Sequence, residues 1–301
     1  MQFAQLKYGL LLLFSVLTIY SKSQSQTDTL NKKRLYYVAG GEFVAYSVAM
    51  TGLYSLWYKD YASTSFHWFD DHKEWLQMDK AGHYYSSYLI SKIADAGFEW
   101  SGLSHKKAVL WGSGVSFVSM SGIELFDGFS AKWGASYSDL IANTAGICLY
   151  AVQELTWQEQ KIIPKFSYHN TIYPKYRPDA LGKTFPEKVI KDYNGQTNWL
   201  SFNIYSLTHW KKFPEWLNVS FGYGAEEMLG GLNNELSDGA VDITVYERYR
   251  QYYVSLDIDF TRINTKSKAL KSIFNVINLV KLPFPAVEIN KFDVKFHPIY
   301  F

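Results

Sequence analysis

Two hydrophobic periodicities divide the chain near residue 160. Before this point, apolar residues recur with helical spacing in four long segments, at residues 35–58, 79–100, 106–127 and 139–154. After it, apolar and polar residues alternate in several short segments, as in strands with two different faces. The pattern therefore predicts an α+β fold, with a four-helix membrane-type bundle followed by a small antiparallel β-sheet region.

The helical segments have features of helices that pack in or near a membrane. In the first segment, Glu42 is the one acidic or basic side chain before Lys59. At about 1.5 Å per residue, this segment is long enough either to cross a hydrocarbon core or to form the central helix of a bundle. The third and fourth segments are rich in Gly, Ser and Ala, which allow close approach of helix backbones.

The alternation is clearest in QYYVSLDIDFT, residues 251–261, and in WLNVSFGYG, residues 216–224. Strands of this length also suit an outer-membrane barrel, but we find only four to six of them, fewer than the ~8 of the smallest single-chain barrels. Pro298 is expected to interrupt the last strand. An antiparallel sheet is therefore the favoured prediction, with an amphipathic helix at 268–280 between its strands.

The predicted organisation has four parts. Residues 1–24 read as a signal peptide, with Lys7 before a short apolar run and small residues at the end. The bundle occupies 35–160, a Pro-containing linker 161–195, and the β-rich region 196–301. No cysteine follows the apolar run, so we expect no diacylglyceryl anchor there. The single cysteine, Cys148, is expected to be a small buried apolar residue.

Composition narrows the class of protein. Hydrophobic residues make up 48% of the 301 residues, which excludes disorder as the dominant state, and the formal net charge of +2 gives no basic surface for nucleic acid. Aromatic residues make up 18%, and such side chains accumulate at membrane interfaces or in aromatic cores. We therefore expect membrane lipid or envelope components as partners and no nucleic acid, and the sequence identifies no protein partner.

Three of the predicted helices carry ionisable groups among apolar or small neighbours. Asp79 and His83 share one helix face, Glu124 and Asp127 are three residues apart, and Asp139 lies near a helix start. Simpler interpretations remain open: Asp79 could cap its helix, SYSD resembles a capping box, and Asp127-Gly128 could end a helix. Buried charges are costly unless they are paired, so we expect an interhelical polar network.

The same residues carry a family resemblance. DKAGHYYSSY and GIELFDGFSAKWGASYSDLIANTAG resemble the signature of the YfiM-like predicted periplasmic lipoproteins, a Gram-negative family of unknown function, over about residues 75–155. The opening Asp-Lys-x-x-His is also similar to the start of the VanZ-like membrane family. The resemblance implies an exported protein of the periplasm or outer membrane. It places the family's characteristic residues at Asp79, Lys80, His83, Glu124, Asp127, Ser138, Asp139, Asn143 and Gly146.

The sequence does not identify a reaction. HWFDDH contains ligand-type side chains at His67, Asp70, Asp71 and His72, but it reads as a loop, and we assign neither a metal nor a cofactor. No Gly-x-Ser-x-Gly, His-Glu-x-x-His or P-loop motif occurs. The leading hypothesis is an envelope protein with a structural or interaction role built on the polar network. The alternative is a hydrolase acting on lipid or cell-wall material, with His83, Glu124 and Asp127 as catalytic candidates.

Overall fold

A computed structural model describes residues 29–59, 61–234 and 246–301. The first helix, α1 (Lys32–Leu53), continues into a π-helical turn, Tyr54–Tyr58. Asn31 caps it, with its side chain accepting a hydrogen bond from the Arg34 amide at 3.1 Å. The predicted signal peptide, residues 1–24, lies outside the described residues.

Three further long helices follow. They are α2 (Met78–Trp100), α3 (His105–Gly128) and α4 (Tyr137–Trp157). Ser136 caps α4 by accepting from the Asp139 amide, as SYSD indicated, but the Ser136 amide donates to Glu124 and not to Asp139, so the capping box is only half formed. Helix α3 ends at Gly128, as its Asp-Gly sequence indicated. Among the described residues, α3 is the helix that is long and apolar enough to cross a membrane, by length and composition alone.

The second half of the chain forms one six-stranded antiparallel sheet, with the strands in chain order. Its strands are β1 (Ile162–Tyr168), β2 (Gln196–Asn203), β3 (Leu217–Glu226), β4 (Tyr249–Ile258), β5 (Phe284–Asn290) and β6 (Val294–Tyr300). In the described residues between them lie four α-helices, α5 (Pro178–Leu181), α6 (Phe185–Lys191), α7 (Ile204–Thr208) and α8 (Lys268–Ile277). The predicted α+β fold is confirmed.

The described chain divides into two compact units. The helical unit comprises the described residues up to 69, residues 86–160 and residues 264–277, and the sheet unit comprises residues 70–85, 161–263 and 278–301. Within the helical unit, a small apolar core forms around Val38, Ala94, Phe98 and Ala108. Within the sheet unit, Trp199, Tyr253 and Ala286 form one core and Met78, Ala225 and Met228 another.

The structure corrects one expectation about the strands, at Pro298, and adds a strand within residues 161–195. Pro298 does not interrupt the last strand: β6 runs through it, because Pro298 and Ile299 together lie opposite Pro285, between the pairs Phe284↔Tyr300 and Ala286↔His297. This bulge lies on an edge strand, where a missing amide is tolerated. The predicted linker, 161–195, contains β1 and the helices α5 and α6. In β1, Pro164 and Lys165 interrupt the alternation of apolar and polar residues, so the sequence pattern does not predict this strand.

The expectation for Cys148 is also wrong, because its side chain is exposed on α4. The buried positions of this helix are instead Asp139, Asn143, Gly146, Tyr150 and Gln153. The helix therefore turns its polar residues inward and leaves an apolar run, which includes the cysteine, on its outer side. A rule that places apolar residues inside fails for this helix.

Candidate functional site

An unusual backbone turn precedes α2. Trp75, Leu76 and Gln77 all have positive φ, at 47°, 50° and 65°. Left-handed backbone costs a residue with a side chain roughly 1–2 kcal/mol, so three in succession persist only where surrounding contacts hold them. The left-handed turn, as we call residues 75–77, is held by contacts from the sheet unit: Trp75 N donates to Gly231 O (2.7 Å), Tyr223 OH donates to Leu76 O, and Arg250 Nη2 donates to Gln77 Oε1 (2.7 Å).

The turn leads directly into a cluster of charged side chains at the start of α2. We call it the Asp79 cluster, comprising Asp71, Asp79, Lys80, His83 and Tyr193. The Lys80 ammonium lies between two carboxylates, at 2.5 Å from Asp71 Oδ2 and 3.1 Å from Asp79 Oδ2. Tyr193 OH donates to Asp79 Oδ1 at 2.7 Å, and His83 Nε2 lies 3.8 Å from the same oxygen. These partners satisfy both carboxylates around one cation.

The electrostatics of Asp79 favour its charged form. Burial raises the pKa of Asp79, but the charges of His83 and Lys80 and the hydrogen bond from Tyr193 outweigh it, so the pKa lies below its ordinary value. Asp79 also lies in the first turn of α2, where the helix dipole favours a negative charge. It is not the residue that caps the helix, because α2 begins one residue earlier, at Met78. Asp79 is therefore a stable anion that holds a lysine, a tyrosine and a histidine near it.

A second polar group lies in the helical unit, at the start of α4. This Glu124 cluster comprises Glu124, Ser136, Ser138, Asp139 and Asn143. Glu124 Oε2 accepts from the Ser136 amide at 3.0 Å, and Ser136 Oγ accepts from the Asp139 amide at 3.1 Å and lies 2.9 Å from Ser138 Oγ. The side chains of Glu124, Asp139 and Asn143 are buried. Glu124 therefore joins α3 to the capping residue of α4 by a hydrogen bond.

Asp127 has a separate role within the helical unit. Its Oδ1 accepts from Tyr58 OH at 2.7 Å, which ties the end of α3 to the π-helical turn after α1. The nearby rings of Phe126 and Trp133 contact Tyr58 at centroid distances of 6.1 and 5.7 Å. Asp127 is thus a helix-end anchor for an aromatic cluster.

The predicted site residues therefore fall into two groups. Asp79, Lys80 and His83 belong to the sheet unit, and Glu124, Asp127, Ser138, Asp139 and Asn143 belong to the helical unit. Each group forms local contacts of the kind expected for a polar network. That the two groups form a single network stays a prediction.

Sequence reasoning missed several partners of these groups. Tyr193 is 114 residues from Asp79 along the chain, and no local pattern marks it. Asp71 was noted as a ligand-type side chain, but its contact is with Lys80. The other members of HWFDDH contact their neighbours: His72 Nδ1 lies 2.5 Å from Asp70 Oδ1, and His67 Nδ1 lies 3.3 Å from Ser65 O.

A further buried group in the helical unit was also missed. Tyr150 OH donates to Asp95 Oδ2, and burial raises the pKa of Asp95 to about 7, with the acids Glu99 and Glu154 adding to this effect. Close by, His105 lies 2.7 Å from Glu99 Oε1. A Cβ at Gly112 would lie 2.6 Å from the Asp95 amide nitrogen, so only glycine permits this approach of α3 to α2. The sequence signal was an aspartate between alanines, Ala94 and Ala96.

Part of the chain that contains these polar residues matches a known protein family. Residues 67–154 match the family described as "Predicted periplasmic lipoprotein (DUF2279)". The YfiM-like resemblance is thereby confirmed. The DUF2279 region contains both the Asp79 cluster residues up to His83 and the whole Glu124 cluster. No curated protein and no solved structure matches the chain.

The family description agrees with the predicted location. A predicted periplasmic lipoprotein is an exported protein of the cell envelope, in the periplasm or at the outer membrane. The finer choice between these places, and the signal peptide, stay predictions. The similarity to the VanZ-like family also stays a prediction. The DUF2279 description names no reaction, so the role of the chain must be argued from its side chains.

Proposed function

We propose that the chain is a membrane-associated envelope protein with a structural or interaction role, in which the polar clusters of the DUF2279 region fix helix packing. One observation carries the proposal. Helices α1, α3 and α4 of the helical unit expose large apolar side chains, and α3 and α4 bury mostly polar or small ones. In water, exposed apolar area is unfavourable by about 25 cal/mol per Å², and contact with lipid hydrocarbon removes this cost.

Helix α3 gives the clearest example. Its buried face repeats every fourth residue and is mostly small or polar, comprising Ala108, Val109, Gly112, Ser116, Met120, Glu124 and Gly128. Its exposed face is large and apolar, comprising Leu110, Trp111, Phe117, Val118, Leu125 and Phe126. A soluble helix has the opposite arrangement. The apolar face of α3 therefore suits a hydrocarbon environment.

Two other helices of this unit, α1 and α4, also expose large apolar side chains. Helix α1 buries Val38 alone and exposes Tyr36, Tyr37, Phe43, Val44 and Val48. Helix α4 exposes Ile141, Val152 and Leu155 while its polar positions are buried. Exposed apolar patches of this extent are typical of membrane or protein interaction surfaces. The envelope location makes a membrane the expected partner.

The contacts of the polar clusters support a structural role. Glu124 accepts from a backbone amide at the start of α4, Ser136 caps that helix, and Asp127 holds Tyr58. In the sheet unit, Lys80 is enclosed by Asp71 and Asp79. Each of these side chains has a partner that belongs to the fold. Groups arranged in this way specify which helix ends meet, and they keep buried polar atoms hydrogen-bonded.

Extraction of cell envelopes tests membrane association. We expect the full chain, expressed in a Gram-negative host, to stay with the membranes in high salt and to be released by detergent. Release by salt alone would contradict hydrocarbon contact. Replacing Leu110, Phe117 and Leu125 with Asn should increase the salt-released fraction. The matched control replaces three exposed apolar residues of the sheet unit, Phe185, Ile190 and Trp210, with Asn and should leave extraction unchanged.

The pairing of His83 with Asp79 favours a second candidate, an envelope hydrolase acting on lipid or cell-wall material. A carboxylate held near an imidazole can orient it as a general base, and the 3.8 Å separation is of the looser kind found without substrate. Purified protein incubated with phospholipid or peptidoglycan tests this candidate. His83→Asn should then abolish turnover, whereas His72→Asn, which alters an exposed His–Asp pair, should not. Absence of turnover by the unaltered chain would contradict it.

A further inference from the structure

The six-stranded sheet has its polar face buried and its apolar face exposed. On β4, Gln251, Tyr253, Ser255 and Asp257 are buried, whereas Tyr252, Val254 and Leu256 between them are exposed. On β3, Asn218 and Ser220 are buried and Phe221 is exposed. A sheet with one face in water normally shows the reverse.

Strand register makes the exposed face continuous. Side chains directly opposite one another lie on one face, so Phe221, Val254, Val287 and Phe296 form a row across β3 to β6. A second row comprises Tyr223, Tyr252, Ile289 and Val294. Phe221 is 52% exposed and Phe296 66% exposed. We call these two rows the apolar sheet face.

The buried face explains why the apolar residues cannot turn inward. Lys165 Nζ lies 2.7 Å from Asp257 Oδ2 and donates to Ile258 O at 2.8 Å. Ser201 Oγ donates to Asp257 Oδ2 at 2.5 Å, and Asn218 Nδ2 donates to Ser201 Oγ at 3.0 Å. The side chains of Lys165 and Asp257 are 0% and 2% exposed. These polar groups are paired within the buried face, so turning the sheet over would break those bonds and expose the ion pair.

We propose that the apolar sheet face lies against the hydrocarbon of a lipid bilayer. The occupant follows from the inversion, because a polar interior with an apolar exterior is the arrangement that a hydrocarbon solvent favours. The face is extensive, since β3 and β4 have 10 residues each, or roughly 33 Å at ~3.3 Å per residue. The inference rests on the proposed function in one respect, that a membrane is present. The proposed function itself is argued from the helical unit.

Fluorescence quenching by lipid-attached nitroxides separates the two proposals. The full chain, with Cys148→Ser and one new cysteine, is labelled with a fluorophore and reconstituted in vesicles of phosphatidylethanolamine and phosphatidylglycerol. The cysteine is introduced by Val254→Cys on the apolar sheet face, Phe117→Cys on α3, or Lys183→Cys as an exposed control in the sheet unit. Acyl-chain nitroxides should quench the label at 254 several-fold more than the label at 183.

Each of the other outcomes contradicts the sheet proposal, the proposed function or both. Quenching at 117 with none at 254 would overturn the sheet proposal and leave the proposed function standing. Quenching at neither position would overturn both. A label at 254 that is protected from acyl-chain nitroxides and from aqueous quencher, and that cross-links to another copy, would replace lipid by a second chain as the occupant.

A charge substitution gives an independent measurement. Val254→Lys should lower partition into the same vesicles about tenfold or more, because a charged residue on a lipid-facing strand is strongly unfavourable. Ile190→Lys, at an exposed apolar position on α6 outside the sheet, is the matched control and should leave partition unchanged. Equal partition of the two variants would overturn the proposal.

Discussion

Replacing Lys165 with Met should destabilise the sheet unit by about 3–5 kcal/mol, the range for removing one partner of a buried ion pair. The Lys165 ammonium lies 2.7 Å from Asp257 and neither side chain reaches solvent. Methionine preserves the volume of the lysine stem, so the loss arises from the uncompensated Asp257 carboxylate. The Lys281 ammonium also interacts with Asp257, so the lower end of the range is expected.

Two further variants make the measurement specific. Adding Asp257→Asn to Lys165→Met removes the stranded charge, so the double variant should be more stable than Lys165→Met alone. Lys183→Met is the control, since Lys183 pairs with Asp179 at 2.6 Å on the surface and both side chains are largely exposed. This control should leave the denaturation midpoint unchanged.

Hydrogen exchange in detergent, followed across increasing urea, gives the free energy of opening for peptides of β3 and β4. These strands report on the sheet unit rather than on the whole chain. If Lys165→Met lowered that free energy by less than about 1 kcal/mol, or if the double variant were no more stable than Lys165→Met, the pair would not be a compensating one.

Three other perturbations have definite expected outcomes. Tyr193→Phe removes the hydrogen bond to the charged Asp79 and should cost roughly 1.5–3 kcal/mol in urea denaturation, and a loss confined to experimental error would contradict the Asp79 cluster. Ser136→Ala removes the cap of α4 and should cost about 1 kcal/mol, with Ser136→Thr largely preserving the measured midpoint. Because burial raises the pKa of Asp95 from 3.8 to about 7, the folded chain binds this proton more tightly, so thermal stability should decrease as pH rises through that window, and Asp95→Asn should flatten the profile.

The long helices could be predicted because their signals are local. The periodicity predicts helices at residues 79–100 and 106–127. The observed helices are α2 (Met78–Trp100) and α3 (His105–Gly128). The cap by Ser136 was equally readable, since all its atoms lie within four residues. The alternation in β3 and β4 gave the strands as well. Hydrophobic periodicity and capping involve residues within one or two helical turns of each other, so both can be recognised from the sequence alone.

The remaining features depend on distant partners. No local pattern distinguishes a strand that buries its apolar side from one that exposes it, because both alternate with period two. The exposed Phe221 and the buried Ser220 would give the same sequence signal in either orientation. Tyr193 reaches Asp79 across 114 residues, and Lys165 reaches Asp257 across the sheet. Sequence reasoning therefore found Asp79, Lys80 and His83 but neither the hydrogen bond from Tyr193 nor the pairing of Lys80 with Asp71.

A double-mutant cycle addresses the hypothesis of one network. Glu124→Gln and His83→Ala, made singly and together, measure whether the two clusters are energetically coupled. Coupling beyond about 0.5 kcal/mol would support a shared network, and additive losses would show that each cluster acts alone.

The left-handed turn before α2 limits how this chain can be divided. Residues 75–77 keep their backbone conformation through Gly231, Tyr223 and Arg250, which lie more than 140 positions downstream. A fragment cut to the family boundaries, residues 67–154, would carry the signature but none of these contacts. Recombinant production of that fragment, or its transfer into a fusion protein, would therefore yield an incorrectly folded start of α2. Residues 75–77 therefore need the C-terminal sheet to adopt this conformation.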